Sequence, residues 1–457
     1  MRRRLAALLA AGLMAVSLVG CAGTPDPAGS TGSFEAHIPL QAGEELELWF
    51  VSDLHLLSEQ LTDYSPEFLT MLAKGDGKTA QYSPEIGRAL VWEITSLPEA
   101  ERPDALLAAG DLTFNGERLS HEEAAGLFEE IEAAGVPVLT LPGNHDLNNA
   151  LAYRYDGNTA TKVESLSADG FRELYGEFGY RDSFSRDPES FSYAFELAED
   201  FWVVAIDGNT DSHSGWVDQK TLDWLDGVLT QAEEQHAAVL TFSHQNLVRH
   251  NARFPYGYTF GNSMAVRDVL LEHGVKLNLS GHIHIQHMGE YDGLREVTTS
   301  ALSIAENHIG VLRVAADRQA SYAVRQLDVA GYARAMGLTD PSLEDFPAYT
   351  ADYFRENSMR GASERLDELQ VPEEERALML EAAGEFNLRY FTGRAAQYRE
   401  ELMALPGYAL WQAQPESQQA EYFDFILETE KQDETQADFP ALWTGGEDDD
   451  AVQGGSV

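Results

Sequence analysis

Leu46-Glu47-Leu48-Trp49-Phe50-Val51 is a short apolar run that passes directly into Ser52-Asp53-Leu54-His55. A run of this length reads as a buried strand, and the residues at its carboxyl end are metal-ligand types. The same pattern returns along the chain. Ala105–Ala109 passes into Gly110-Asp111, and Val136–Leu141 into Pro142-Gly143-Asn144-His145-Asp146. Ala237–Phe242 leads to His244, and Leu277–Leu279 leads to Gly281-His282-Ile283-His284. Trp202–Ile206 is a sixth run. Helix signatures lie between the runs. Ser83-Pro84-Glu85 places Pro in a first turn, and Ser120-His121-Glu122-Glu123 has capping-box spacing. Asp218–Gln235 carries Leu222, Leu225 and Leu229 at helical spacing. Strand alternating with helix from about residue 44 to 315 predicts a layered α/β domain. In such domains ligands bind at the carboxyl ends of the strands.

The spacings carry chemistry. In extended chain, residues i and i+2 point the same way, so Asp53 with His55, and His282 with His284, can each face one centre. Gly110, Gly143 and Gly281 precede ligand candidates, where a glycine permits a sharp turn or a close approach. Two metal ions about 3.5–4 Å apart need a shared ligand, and the Asp111 carboxylate is the natural bridge. The four imidazoles and the Asn144 amide are neutral, so Asp53 and Asp111 leave two divalent ions with roughly two positive charges. That residue suits a hydroxide and a phosphodiester anion.

Taken together, Asp53-x-His55, Gly110-Asp111, Gly143-Asn144-His145-Asp146, His244 and Gly281-His282-x-His284 resemble the blocks of the calcineurin-like metallophosphoesterase superfamily. The resemblance covers about residues 45–315 and implies a four-layered α/β/β/α sandwich. It implies one metal held by Asp53, His55, Asp111 and His284, and a second held by Asp111, Asn144, His244 and His282. It further implies that hydroxide made at the metals attacks phosphorus, while His145 contacts the phosphate and protonates the leaving oxygen. Asp146 is then expected to orient His145. Purple acid phosphatases carry a metal-binding Tyr three residues after the bridging Asp. Here Phe114 stands at that position and cannot ligate, which disfavours a coloured ferric site. Gly110–Glu117, Ile206-Asp207-Gly208-Asn209, Gly215-Trp216 and Asp223-Trp224-Leu225 resemble bacterial class III cyclic nucleotide phosphodiesterases, of which a secreted lipoprotein subgroup carries a helical C-terminal extension. The implied activity is hydrolysis of cyclic nucleotides or related small phosphodiesters. A phosphomonoesterase or nucleotidase on the same site, and a non-catalytic binding lipoprotein, are the alternatives. Imidazole-rich donor sets suit Mn, Fe, Zn or Co better than Mg or Ca.

Other polar residues divide between site and scaffold. Asn115 is placed either to reach a phosphate oxygen or to close a turn, and His213 either to line the pocket or to sit on a surface loop. His121 falls in the capping box, which predicts a solvated ring at a helix start. His250 and His308 have no motif support, and His287 is off the parity of His282 and His284. No histidine follows His308. Residues 331–444 read as a smaller all-α domain, with helical stretches at Glu373–Glu385 and Ser417–Glu430, and 445–457 as a disordered acidic tail.

Lys plus Arg number 31 against 76 Asp plus Glu in 457 residues, a net charge of −45. This excludes a nonspecific nucleic-acid polymer as partner but not a small phosphate, since local cations override the global sign. No obligate protein partner is evident. Cys21 is the single cysteine, which rules out an internal disulfide and a Cys-based zinc site. It follows Arg2-Arg3-Arg4 and an uncharged run from Leu5 to Val19, ending Leu18-Val19-Gly20-Cys21. That arrangement resembles a lipobox, which predicts a signal peptide over 1–21 with a lipidated Cys21 and a protein held to the membrane outside the cytoplasm. Residues 22–43 then form a flexible tether. Cys21→Ser is expected to abolish incorporation of labelled fatty acid and to release the protein from the membrane fraction; persistent labelling would contradict the lipobox.

Overall fold

The structure, a computed structural model, describes residues 37–445 apart from Pro255, Gln370, Pro415 and Glu416. The expected signal peptide, Cys21 and nearly all of the acidic tail lie outside the described residues. The described strands, in chain order, are β1 (Leu46–Val51), β2 (Ala105–Ala109), β3 (Val138–Leu141), β4 (Tyr153–Asp156), β5 (Thr159–Lys162), β6 (Ser185–Arg186), β7 (Tyr193–Ala198) and β8 (Phe201–Ile206). They continue with β9 (Ala238–Ser243), β10 (Leu277–Ser280), β11 (His287–Tyr291), β12 (Leu294–Thr298), β13 (His308–Val314), β14 (Ala320–Gln326) and β15 (Gln436–Phe439).

Two sheets form a sandwich. One has six strands in the order β15-β14-β13-β1-β2-β3, the other seven in the order β11-β12-β10-β9-β8-β7-β6. β1, β2 and β3 are parallel neighbours, as are β8, β9 and β10. Alternation sets the layers. Val203 and Ala205 of β8 join the inter-sheet core with Phe50, Leu107, Leu139, Leu240 and Leu279. Trp202, Val204 and Ile206 face the other way, onto helices 219–235 and 263–272. Helices 83–96, 118–133 and 168–175 bury Ile86, Leu90, Phe128 and Phe171 in the same continuous core, as the layer packed on the six-stranded sheet. The result is the expected α/β/β/α order. Because β1 and β2 are covered on both faces, they read as continuous apolar runs.

Several expectations are corrected. The capping box at Ser120 does not cap. The helix begins at Arg118, and Ser120 lies in its first turn with its hydroxyl accepting from the Ser58 amide at 3.1 Å. His121 is therefore buried inside the helix, against Tyr175 Oη at 2.9 Å and the Asp146 carbonyl at 2.9 Å, rather than solvated. The tether reading fails from residue 37 onward: His37 meets the Glu196 carbonyl at 3.1 Å, and Leu40 bridges to Ala198 beside β7.

The C-terminal region is helical but not all-α. Helices 346–369, 373–391, 399–404, 406–412 and 418–429 precede β15, which adds an antiparallel edge to β14 of the six-stranded sheet. Helix 329–336 spans the expected boundary at 330/331 and rests on helix 83–96, with the Trp92 and Tyr332 rings 6.3 Å apart. The two parts also share a core. Ile283 and Ile285 pack with Phe386, Tyr390, Trp411 and Phe423 of the helical cap. In the loop after β10, alternate residues thus serve different masters: His282 and His284 face one way, Ile283 and Ile285 the other.

Candidate metal centre

Five strand ends converge. Asp53 and His55 follow β1, Asp111 follows β2, and Asn144 and His145 follow β3; His244 follows β9, and His282 and His284 follow β10. Both sheets thus deliver ligands to one edge of the sandwich. Asp53, His55 and His284 form one cluster of donor atoms, and Asp111, His244 and His282 another, each within 4.8 Å. His284 Nε2 lies 3.2 Å from Asp53 Oδ1, and His55 Nε2 3.8 Å from it. Asp111 joins the clusters: Oδ2 lies 3.8 Å from His55 Nε2 and Oδ1 3.4 Å from His244 Nε2. Asn144 Oδ1 is 2.9 Å from His244 Nε2. All seven ligand candidates therefore meet.

The backbone is bent to allow this. Asp53, His55, Asp111, His282 and His284 all have positive φ, between 47° and 68°. Each such non-Gly residue costs about 1–3 kcal/mol, and such strain concentrates at functional sites. Of the three glycines, Gly110 alone has positive φ. Gly143 and Gly281 serve close approach: a Cβ on Gly143 would fall on Asp111, and one on Gly281 on Ser52 and Asp53.

The centre fits a pair of cations. Asp53 Oδ1 is fully buried without a hydrogen-bond partner, although it faces two imidazoles. The outer nitrogens are tethered as in metal-ligating histidines: His244 Nδ1 to the Ala109 carbonyl at 2.9 Å, and His282 Nε2 to the Gly257 carbonyl at 2.7 Å. Burial tends to raise the Asp111 carboxyl, but His244 and His145 hold it well below the usual carboxylate range. Burial and then His244 push His282 down to about 4, so its ring is a neutral donor at pH 7. Burial would lower His244, yet Asp111 lifts it to about 9, so a cation there displaces a proton.

His145 stands beside the ligands. Its Nδ1 lies 3.0 Å from the Phe114 carbonyl and 3.1 Å from Asn115 Oδ1, while its Nε2 is 4.0 Å from Asp111 Oδ2. A carbonyl only accepts, so Nδ1 carries hydrogen and Nε2 faces the centre. Asn115 thus holds His145, which neither of the two sequence readings anticipated. Asp146 does not orient His145. Its buried carboxylate accepts from Leu112 N, Thr113 N and Oγ1, and Gly143 N at 2.8–3.1 Å, locking the turns after β2 and β3 together. His213 is not among the cleft-lining residues; its Nε2 lies 3.1 Å from Asp218.

The sequence reading missed residues of the cleft. Lys78 Nζ lies 3.3 Å from His55 Nε2 and 3.2 Å from Asp76. Their loop, Gly75-Asp76-Gly77-Lys78, has only Gly-rich polarity as a signal. The cleft, about 770 Å³, is lined from the cap by Phe354, Asn387, Phe391 and Tyr422.

A family model described as calcineurin-like phosphoesterase matches residues 46–286, and one described as the C-terminal domain of cyclic nucleotide phosphodiesterase matches residues 328–433. The chain belongs to the calcineurin-like phosphoesterase family, whose members depend on two metal ions. It is similar to a protein of Moraxella catarrhalis described as a probable cyclic nucleotide phosphodiesterase, 24% identical over 40% of this chain and 60% of that one. It is also similar to the glycerophosphodiester phosphodiesterase GpdQ of Enterobacter lignolyticus, 29% identical over 30% of this chain and 41% of that one. The matches thus span about half the length of these relatives.

Gly143→Ala is expected to cut activity by about 100-fold or more, because it displaces Asp111 by the ångström scale that catalytic geometry does not tolerate. Steady-state kinetics with elemental analysis checks this; unchanged turnover and metal content would contradict the packing described.

Proposed function

We propose that the protein is a dimetal phosphodiesterase acting on cyclic nucleotides or related small phosphodiesters. The observation that carries the reading is the Asp111 carboxylate, one oxygen turned to each ligand cluster. The match of the cap to the C-terminal domain model of cyclic nucleotide phosphodiesterase supports the substrate class. So do the cleft walls. Phe254, Tyr258, Phe354, Phe391 and Tyr422 offer ring faces to a base, and Asn387, also on the wall, has an Oδ1 without a hydrogen-bond partner.

Asp53, His55, Asp111 and His284 would hold one ion, and Asp111, Asn144, His244 and His282 the other. Bound there, divalent ions activate water and neutralise charge developing on phosphorus. The imidazole-rich set favours Mn, Fe, Zn or Co. The chain's own residues do the rest. His145 presents Nε2 to the leaving oxygen and, since Nδ1 already carries hydrogen, donates a proton only as imidazolium. Asn115 and the Phe114 carbonyl fix its ring. Lys78 brings a positive charge to the phosphate side of the cleft. A lipid anchor at Cys21 completes the reading, supported by the leader sequence alone.

His145→Ala is expected to keep bound metal and lose roughly 10²–10⁴-fold in kcat, the usual worth of a positioned proton donor. Asn115→Ala, which leaves the ring but loosens it, should cost less. Full turnover in a metal-loaded His145→Ala protein would reject the role. A panel of cyclic nucleotides, bis-p-nitrophenyl phosphate and p-nitrophenyl phosphate tests the substrate class: diesters should be cleaved fastest. Preference for the monoester would overturn it in favour of a phosphomonoesterase, and no turnover at all in favour of a binding protein.

A further inference from the structure

A second set of ligand-type side chains lies apart from the catalytic centre, where β11 meets the cap. His287 opens β11, Glu430 caps helix 418–429, and Glu434 sits in the turn before β15. One donor atom of each lies within 4.8 Å of the others. Glu430 and Glu434 are 2% and 3% exposed. Among the described residues no Lys or Arg forms an ion pair with either; the one ion-pair contact is His287 Nε2 to Glu430 Oε1 at 3.6 Å.

A chain of hydrogen bonds fixes which atom His287 offers. The Glu296 carboxylate accepts from the amides of Leu247 and Val248 and from Asn278 Nδ2, and as a carboxylate it offers only acceptors. His250 Nε2, 3.1 Å away, donates to it. The remaining His250 nitrogen, Nδ1, lies 2.9 Å from His287 Nδ1. His287 Nδ1 is thus engaged by His250, and Nε2 is the nitrogen left to face Glu430 and Glu434. At 3.6 Å the imidazole and Glu430 are too far apart to share a hydrogen bond. The distance is that of two ligands on one tetrahedral ion with bonds of about 2.0–2.2 Å. Glu430 Oε2 is buried and has no hydrogen-bond partner. Without a cation the arrangement is costly: burial and then Glu434 push the Glu430 carboxyl up to about 8.

We propose that His287, Glu430 and Glu434 hold a third divalent cation of the zinc class, separate from the catalytic pair. Glu434 is itself positioned by the Met288 amide, which donates to its Oε2 at 2.8 Å. The Glu296–His250–His287 relay orients the imidazole, as second-layer carboxylates do for metal-bound histidines. The ion clamps the edge strand of the seven-stranded sheet to the end of helix 418–429. That helix carries Gln419, Glu421 and Tyr422 on the cleft wall, so the clamp fixes one side of the substrate cleft.

The test compares the full-length protein with Glu430→Gln, a variant that keeps the side-chain shape. Both are stripped with chelator, titrated with zinc alone, and analysed for bound metal. The wild-type chain should bind one equivalent more than the variant, and zinc should raise its Tm further. Equal stoichiometry in the two would overturn the proposal and assign the pocket to a shared proton instead. Should Glu430→Gln fail to fold, the wild-type titration decides alone: three filled sites support the clamp, and two overturn it. Because the readout is a difference at Glu430, failure of the catalytic-pair reading would show separately, as loss of the two equivalents common to both proteins.

Discussion

Asp53 and Asp111 are carboxylates withdrawn from water, and much of the surrounding architecture compensates for that. Removing a carboxylate from solvent costs several kcal/mol unless charge and hydrogen bonds replace the water. Backbone amides supply part: His282 N donates to Asp53 at 2.9 Å, and His145 N to Asp111 at 2.7 Å. Ser52 Oγ adds a bond of 2.6 Å to Asp53. The protonated His244 ring supplies positive charge that a bound cation would replace. The amide donors sit on loops from different strands, so each carboxylate also fastens one loop to another. Asp53 ties β1 to β10, and Asp111 ties β2 to β3.

The same economy explains Asp146. It touches no reacting group, yet it holds the turns that carry Asp111 and Asn144. Five ligands in left-handed backbone conformations need such reinforcement: Asp and His enter that region more readily than most residues, but still at a cost that glycine does not bear. Packing of the two sheets provides the frame, and Gly143 and Gly281 let loops approach where a methyl group would collide.

How much of this was legible in the sequence follows from what each residue has to satisfy. Strands β1, β2, β8, β9 and β10 were visible because burial on both faces forces unbroken apolar runs. β11 and β14 were not, because antiparallel strands with one wetter face dilute that signal, as in Met288-Gly289-Glu290. The seven ligands were legible since a metal demands particular side chains at strand ends. His121 and Asp146 were misread for a common reason. Both satisfy buried polar groups supplied by distant loops, and no local pattern records that demand. β15 escaped notice because four residues with Asp438 among them form an edge strand only through the partner they meet. Lys78 and the cap residues of the cleft were invisible too, as each reaches the site from an element without a motif.

The cap is not an appendage. Ile283 and Ile285 insert into its core from the loop that presents His282 and His284, so ligand geometry and cap packing are set by one stretch of backbone. Cap residues on the cleft wall are thereby held in register with the ligand side chains. Anomalous diffraction from manganese-soaked crystals of the full-length protein examines the whole scheme at its root. Two peaks about 3.5–4 Å apart, on either side of the Asp111 carboxylate, are the predicted result. An absence of density beside Asp111, with all seven side chains in the positions described, would contradict it.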